Sequence, residues 1–371
     1  MVLAVRNFTL NSERLVAASN NLGDAIVDPE LWPQIIDEIC SAAGAVGGAL
    51  LQADIRTPDI PRTASVDECF KYYFATDWPS RDTRAERSIP LMMRGQTVVT
   101  DQDIVTPDEM RRLDFYNDCA LRFGVPWFAG IRLRAGSALW AMVIQRTSRQ
   151  GPFEPHETRL LASLAPWLTQ TATLSKAVGQ VALSGINDAL ALIGQPALAL
   201  DRSGFVLDAN AVAQQIFDDE IFVRNRRLAV RDKQASAALA ALADQMRTAR
   251  DTVPLLAPPI VVRRMERRPL VIRVLPVDGA ARTPFLGARA LLVISDLDRR
   301  PQPQPSVLAE IFGLTPAETR LAVVMAAGIS IERAADQLGL SRETVRNQLK
   351  AIFAKTGTHR QSELVALLSR L

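Results

Sequence analysis

The apolar positions in the last sixty residues recur with the spacing of α-helices. Four helices are predicted, beginning near Pro316, Ile331, Arg342 and Gln361. Thr315 is a suitable N-cap with Glu318 three residues later, which predicts a capping box at the first helix. Gly328 ends that helix, and residues 339–341 (Gly-Leu-Ser) make a tight turn between the second and third helices. The spacing predicts a helix-turn-helix.

The third of these helices has one apolar side and one polar side. Val345, Leu349, Ile352 and Phe353 fall at i, i+4, i+7 and i+8, so they are predicted to face the core. The side chains of Arg346, Asn347 and Lys350 then point outward.

The chain before residue 299 mixes the two kinds of periodicity. Helix-like segments near 30–42 and 108–122 alternate with strand-like segments near 46–53, 125–133 and 138–146, which predicts an antiparallel sheet flanked by helices. One or two long amphipathic helices are predicted over 155–192. Strands then follow near 197–200, 205–207, 270–275 and 290–294, with helices near 209–217 and 235–250.

Prolines mark the clearest domain boundary. Alternating prolines in 299–306 predict a short extended linker. The expected organisation is one domain at 1–178, a second domain at 179–298, this linker, and a helix-turn-helix domain at 307–371. The expected fold class is α+β for the first two domains, followed by an all-α four-helix domain.

Composition narrows the possible functions. The net charge of +3 is too small for nucleic acid to be held by overall charge, so a basic surface must be local. The three cysteines and two histidines match no disulfide framework and no metal-ligand spacing, and no nucleophile motif or phosphate loop occurs. We therefore expect no catalytic residues, metal or cofactor. No apolar run reaches the roughly 20 residues needed to span a bilayer and the N-terminus does not match a signal peptide, so a cytoplasmic location without membrane contact is expected.

The outward side of the third C-terminal helix carries side chains suited to double-stranded DNA. Arginine and lysine donate to guanine edges or phosphates and asparagine bonds adenine, so Arg346, Asn347 and Lys350 are predicted to contact bases. A second group is predicted at or near phosphates: Ser341, Arg342, Thr344, Gln348 and Lys355.

This stretch resembles the LuxR-type helix-turn-helix. The resemblance covers about sixty residues through Leu314-Thr315, Glu318, residues 327–330 (Ala-Gly-Ile-Ser), 338–341 (Leu-Gly-Leu-Ser), 344–346 (Thr-Val-Arg) and 355–357 (Lys-Thr-Gly). It implies that Arg346, Asn347 and Lys350 occupy DNA-reading positions, whereas Gln348 stands where many members carry histidine. It also implies that the fourth helix serves in dimerisation through Leu364, Leu367, Leu368 and Leu371. Packing within the domain is the alternative for part of that leucine stripe.

The upstream domains resemble sensory modules. Residues 197–211 are similar to the opening hairpin and first helix of a PAS domain. The aromatic pattern around 72–81, with Phe115-Tyr116 and 123–125, resembles both the autoinducer-binding domains of LuxR-type quorum sensors and a GAF domain, although Glu68 stands where the autoinducer pattern has tryptophan. Candidate ligand contacts are Tyr72, Tyr73, Asp77, Trp78 and Trp127. Core packing is the alternative for the aromatic residues, and helix capping is the alternative for Asp77.

The combined prediction is a one-component transcriptional regulator. It would act as a homodimer on DNA, under the control of a small-molecule signal or a partner bound by the N-terminal domains. Two alternatives are a sigma-factor-like initiation protein, which shares this helix-turn-helix, and an enzyme with an appended regulatory domain.

Overall fold

The computed structural model describes residues 10–54, 57–248, 255, 257–298 and 303–369. Contacts divide the chain into two units, which are treated separately below. The larger unit comprises Met1–Arg264 and Leu270–Ser295, and the smaller unit comprises Met265–Pro269 and Asp296–Leu371.

The first part of the larger unit is a four-stranded sheet with helices on both faces. Its elements are α1 (Ser12–Asn20), α2 (Trp32–Ala42), β1 (Gly47–Gln52), α3 (Asp67–Ala75), α4 (Trp78–Arg81), α5 (Thr83–Met93), β2 (Val98–Thr100), α6 (Asp101–Ile104), α7 (Pro107–Met110), β3 (Trp127–Ala135) and β4 (Ala138–Arg146). The strand order is β1-β4-β3-β2, and each neighbouring pair is antiparallel. The predicted antiparallel sheet flanked by helices is confirmed.

The helix predicted over 108–122 is not continuous. Between α7 and β3 the chain forms a π-helix at Phe115–Ala120 and a 3-10 turn at Leu121–Phe123, which ends at Gly124 with φ of 70°. The consecutive rings of Phe115 and Tyr116 are both buried in this π turn.

Two helices follow β4 and confirm the prediction for 155–192: α8 (Pro155–Ala162) and α9 (Ala165–Leu192). The boundary expected after residue 178 falls inside α9, so this helix belongs to both parts of the larger unit. Its middle is tied to the second part by a 2.6 Å hydrogen bond between the hydroxyls of Ser175 and Thr283. Near its end, Asn187 Nδ2 donates to Asp208 Oδ2 at 2.8 Å.

The second part of the larger unit is built on a five-stranded sheet. Its elements are β5 (Ala197–Asp201), β6 (Val206–Ala209), α10 (Ala211–Gln214), β7 (Ile221–Arg224), β8 (Arg227–Val230), α11 (Lys233–Thr248), β9 (Ile260–Val262), β10 (Leu270–Pro276) and β11 (Ala288–Asp296). The sheet order is β6-β5-β11-β10-β9, and β7 and β8 form a separate hairpin. That hairpin was not predicted because its turn uses Asn225 and Arg226, both at positive φ, instead of a glycine-containing pair.

The smaller unit is helical where it is described beyond residue 303. Its helices are α12 (Pro305–Phe312), α13 (Pro316–Ala326), α14 (Ile331–Leu338), α15 (Arg342–Thr356) and α16 (Gln361–Leu368). The four predicted helices are confirmed within two residues, and the capping box is present, with Thr315 N donating to Glu318 Oε2 at 2.7 Å. The predicted linker is corrected at its end, because Pro305 and Ser306 begin α12, where a proline is tolerated in the first turn. Residues 299–302 of that linker lie outside the described residues.

Two of the predictions from composition concern the whole described chain. Cys40, Cys69 and Cys119 are all buried and unpaired by disulfides, as the sequence predicted. Among the described residues, no helix is both long enough and apolar enough to cross a membrane.

Candidate functional site

A cavity of about 70 Å³ lies between the first sheet and the helices α3 and α5. The sheet contributes Leu51, Leu139, Ala141 and Val143 to its wall. Most of the lining is apolar, and the polar groups that reach it are Gln52, Cys69, Tyr73, Asp82, Arg84, Cys119 and Gln145. Within the described part of the chain, no group of three or more histidine, cysteine, aspartate or glutamate residues is placed to hold a metal ion.

A buried ion pair lies beside this cavity. Arg84 Nε donates to Asp101 Oδ1 at 3.0 Å, and Arg84 Nη2 donates to the carbonyl of Pro126 at 2.6 Å. The hydroxyl of Tyr116 and the backbone N–H of Phe128 also donate to Asp101, at 2.7 and 2.6 Å. The charges of Arg84 and Asp101 are therefore paired with each other. Their hydrogen bonds hold α5, α6 and β3 together beside the cavity.

Aromatic rings and burial set the electrostatics of this cluster. The Arg84 guanidinium lies 4.8 to 5.5 Å from the ring centroids of Phe115, Tyr116 and Phe128. Burial raises the pKa of the Asp101 carboxyl, an effect that its three donors oppose. Burial and the neighbouring Asp101 carboxylate together raise the pKa of the Tyr116 phenol. The phenol therefore stays protonated at neutral pH and remains a donor to Asp101.

Two further polar groups face the cavity from opposite walls. Tyr73 donates its hydroxyl to Asp82 Oδ2 at 2.9 Å. Gln145 is buried on β4, and its Oε1 atom has no hydrogen-bond partner. An unpaired polar atom inside a protein is costly, and a ligand carrying a complementary hydrogen-bonding group would satisfy it.

The two cysteine thiols at the cavity form a pair. A hydrogen bond with Cys119 lowers the pKa of Cys69, while burial opposes the decrease. The same hydrogen bond and burial raise the pKa of Cys119.

The predicted ligand contacts do not line one site. Tyr73 reaches this cavity, whereas Tyr72, Asp77 and Trp78 line a separate surface cleft, and Trp127 borders a third groove. The helical geometry of α3 separates the neighbouring tyrosines, because consecutive residues point about 100° apart. The single aromatic pocket expected from the sequence is therefore corrected to three separate places.

Asp77 and Trp78 have structural roles in that cleft. Asp77 occupies the N-cap position of α4 without a capping bond from its side chain, and it pairs with Arg81 at 3.2 Å. Trp78 is buried with its ring edge against Phe115, at 5.8 Å between centroids. The core-packing alternative holds for Trp78, and the expected helix cap at Asp77 is not formed.

Apart from Tyr73, the polar residues that meet at the cavity were not predicted. Arg84 and Asp101 are 17 residues apart, and charged residues are usually exposed unless they are paired. One available signal was the apolar strand Val98–Thr100 directly before Asp101, which places this aspartate at the end of a buried strand.

The second candidate site lies on α15 in the smaller unit. The turn from α14 passes through Gly339, with φ of 65°, to Ser341, whose hydroxyl accepts from the Thr344 N–H at 3.0 Å. Val345, Leu349 and Ile352 are buried in the core of this unit. Away from this core, Arg342, Arg346, Asn347 and Lys350 are exposed, as are Glu343, Ala354 and Lys355. The apolar and polar sides lie as the sequence predicted.

Two residues of the predicted DNA-binding group, Lys355 and Gln348, are less available for DNA than the sequence predicted. Lys355 Nζ is already engaged by Glu318 Oε2 at 2.7 Å and by the Gly313 carbonyl at 3.0 Å, so a phosphate would compete with these partners. The ion pair with Lys355 is also the main cause of the lowered pKa of Glu318. Gln348 is half-buried, and its Oε1 atom is enclosed without a partner.

The leucine stripe of α16 is oriented mainly inward. Leu364 and Leu368 are fully buried in the core of their own unit, and Leu367 is half-buried. Leu371 lies outside the described residues. The expectation that these leucines form a contact between subunits is corrected for Leu364 and Leu368, because their side chains are already covered within the unit.

Comparison with known proteins gave structural neighbours only. No family model and no curated protein matched the chain. The VqsR LBD domain from Pseudomonas aeruginosa aligns at 14% identity and a TM-score of 0.34, covering 43% of this chain and 94% of that one. The phage VqmA-DPO complex aligns at 15% identity and a TM-score of 0.20, with 51% and 88% covered. The E. coli DhaR(N)-DhaL complex aligns at 12% identity and a TM-score of 0.24, with 76% and 87% covered. These TM-scores are too low for any argument about fold or function, which rests on the residues described above.

Proposed function

We propose that this protein is a DNA-binding transcriptional regulator with a LuxR-type helix-turn-helix. The observation that carries the proposal is the two-sided α15, which buries Val345, Leu349 and Ile352 and exposes Arg346, Asn347 and Lys350. A helix anchored on one side and bearing donors on the other is suited to the major groove, where base edges present acceptors.

We further propose that a small molecule bound at the first sheet controls this activity. Its chemistry follows from the cavity, which is mostly apolar and holds the unpaired Oε1 atom of Gln145. A compact, largely apolar molecule with one hydrogen-bonding group fits these features. Ligand pockets usually enclose about 300 to 1,000 Å³, so the cavity must widen when the ligand enters.

A route for the signal leads from the cavity to the second sheet. Leu51 of the cavity wall lies on β1, and the neighbouring Leu50 N–H donates to the Pro61 carbonyl at 3.0 Å. Two residues earlier, the Asp59 carbonyl accepts from Arg202 Nη1 at 2.8 Å. Arg289 Nη1 also lies 3.3 Å from the Asp59 carboxylate. Movement of β1 would therefore reach two buried arginines of the second sheet region.

Selection of binding sites tests the DNA-binding proposal. Full-length protein would be used to enrich sequences from a random double-stranded DNA library, and the enriched sequence would then be titrated. We expect an inverted repeat, because a homodimer presents two copies of α15. Arg346→Ala or Lys350→Ala should weaken binding by about 1 to 3 kcal/mol, since each removes a contact to DNA.

The matched control is Arg159→Ala, which removes the same charge from an exposed position on α8. It should leave the affinity for the enriched sequence unchanged. Failure to enrich any sequence, or an equal loss of affinity in the Arg159→Ala variant, would contradict the proposal. Native mass spectrometry of protein purified from its own host tests the sensory part, where a retained small molecule is expected.

A further inference from the structure

Helix α9 carries a row of large apolar side chains that no described residue covers. Trp167, Leu174, Val181 and Leu192 are 58%, 42%, 74% and 87% exposed. At about 100° per residue, these four positions lie within about 40° of one another around the helix axis. They therefore form one straight stripe, called the α9 stripe below.

The opposite side of the same helix is packed against the rest of its own subunit. Leu168, Ala172 and Leu183 are fully buried. A Cβ atom at Gly179 would come within 2.6 Å of the Thr283 side chain, so the helix packs very closely there. Rotation of α9 to bury the stripe within its own subunit would break these contacts.

The exposed side of α9 carries few of the charges that usually face solvent. In the 28 residues of the helix, the charged residues are Lys176, which lies on the opposite side, and Asp188, which is exposed one heptad after Val181. Other exposed positions beside the stripe are small or neutral, namely Gln170, Ala177, Gly185 and Ala189. A helix in contact with water normally has a polar outer face, and an apolar row there indicates a binding surface.

We propose that the α9 stripe binds the same stripe of a second copy of this chain. Trp167, Leu174 and Val181 repeat every seven residues, which is the spacing at which two helices pack side chains into each other's gaps. The small residues beside them supply those gaps, and a two-fold axis brings identical stripes together. The helix is about 42 Å long at about 1.5 Å per residue, so the contact extends over most of the sensory region.

This inference rests on the proposed function, because paired half-sites in DNA require two copies of α15. It assigns the contact between subunits to α9, in a part of the chain distant in sequence from the leucines of α16.

Sedimentation velocity of the full-length protein without DNA tests the α9 stripe. We expect the parent to dimerise at micromolar concentration, and Val181→Glu or Leu174→Glu to raise the dimer dissociation constant at least tenfold. Gln180→Glu and Thr173→Glu are the matched controls, because they add the same charge at neighbouring exposed positions about 80° or more from the stripe. Both controls should dimerise like the parent, and near-ultraviolet circular dichroism should show that all four variants are folded.

Cysteine cross-linking gives a second measurement. Ala177 lies near the midpoint of α9, so its two copies approach each other whether the helices run parallel or antiparallel. The native cysteines are buried, so oxidation should link Ala177→Cys into a covalent dimer and leave Thr173→Cys unlinked.

The outcomes separate this inference from the proposed function. A monomeric parent, or a dimer that Val181→Glu leaves intact, overturns the inference even if DNA binding is found. A dimer that Val181→Glu disrupts supports the inference even if no DNA sequence is enriched, in which case only the proposed function fails.

Discussion

The two faces of the first sheet bury their side chains in different ways. On one face, Met142 and Ile144 of β4 pack against α1, α2 and α9, and the Phe285 ring meets Trp32 and Trp140 edge-on at 5.3 and 5.0 Å. This face is called the sealed face below. The other face, called the cavity face, contains the 70 Å³ cavity and the buried pair of Arg84 and Asp101.

The difference indicates that the two faces of this sheet have different roles. The sealed face joins the two parts of the larger unit, since Phe285 comes from the second part and reaches a core made mostly by the first. The cavity face has space and hydrogen-bonding groups instead. The sealed face is close-packed. A ligand at the cavity face would therefore act mainly on the elements that line the cavity, α3, α5 and β1.

The largest effect is expected from the charged cluster of the cavity face. Asp101→Asn should destabilise the larger unit by about 3 to 5 kcal/mol, because it leaves the buried Arg84 guanidinium without its anionic partner. All five tryptophans lie between residues 32 and 167, so tryptophan fluorescence during urea unfolding reports on this region. Asp118→Asn, at an exposed position of the π-helix that carries Tyr116, should change stability by no more than about 0.5 kcal/mol. Equal effects of the two substitutions would show that the cluster is not a stabilising element.

A smaller difference is expected between neighbouring residues of β4. Met142→Ala on the sealed face should cost about 2 to 5 kcal/mol, because it removes a fully buried side chain from a close-packed core. Val143→Ala on the cavity face should cost about 1 kcal/mol or less, because it removes two methyl groups from a half-buried position beside an existing cavity. The same urea measurement compares them, and a larger loss for Val143→Ala would reverse the assignment of the faces.

The smallest effect is expected when side chains are enlarged. Ala129→Val on the sealed face should cost about 1 to 3 kcal/mol through overpacking. Ala141→Val adds the same two methyl groups next to the cavity, so its stability should stay within about 0.5 kcal/mol of the parent. Thermal unfolding measures both changes. If the cavity is the ligand site, Ala141→Val should also lose the small molecule retained by the parent, and a variant that keeps it would move the site elsewhere.

The helices of the smaller unit were predictable because local residues specify their ends. Thr315, Ser330 and Ser341 cap the first turns, while Gly328 and Gly339 adopt the positive φ needed at helix ends. Each of these signals acts within a few residues, so the sequence pattern alone locates it.

The cavity was not predictable in the same way. The burial of Arg84 depends on Asp101 and on the carbonyl of Pro126, which is 42 residues away. The split between Tyr72 and Tyr73 depends on how α3 lies against the sheet. Such features follow from tertiary packing, which a list of aromatic residues does not contain, so the sequence did not bring the residues of the cavity together.

The continuity of α9 has a consequence for the tolerance of the chain to insertions and deletions. Because one unbroken helix contacts both sheets, a single residue inserted between Ser175 and Asn187 would turn everything after it by about 100° and shift it by about 1.5 Å. The hydroxyl contact with Thr283 and the amide contact with Asp208 could not both be kept. An insertion of seven residues would restore the rotation to within about 20° but lengthen the helix by about 10 Å. The length of this segment should therefore be as strictly maintained as the identity of its buried residues.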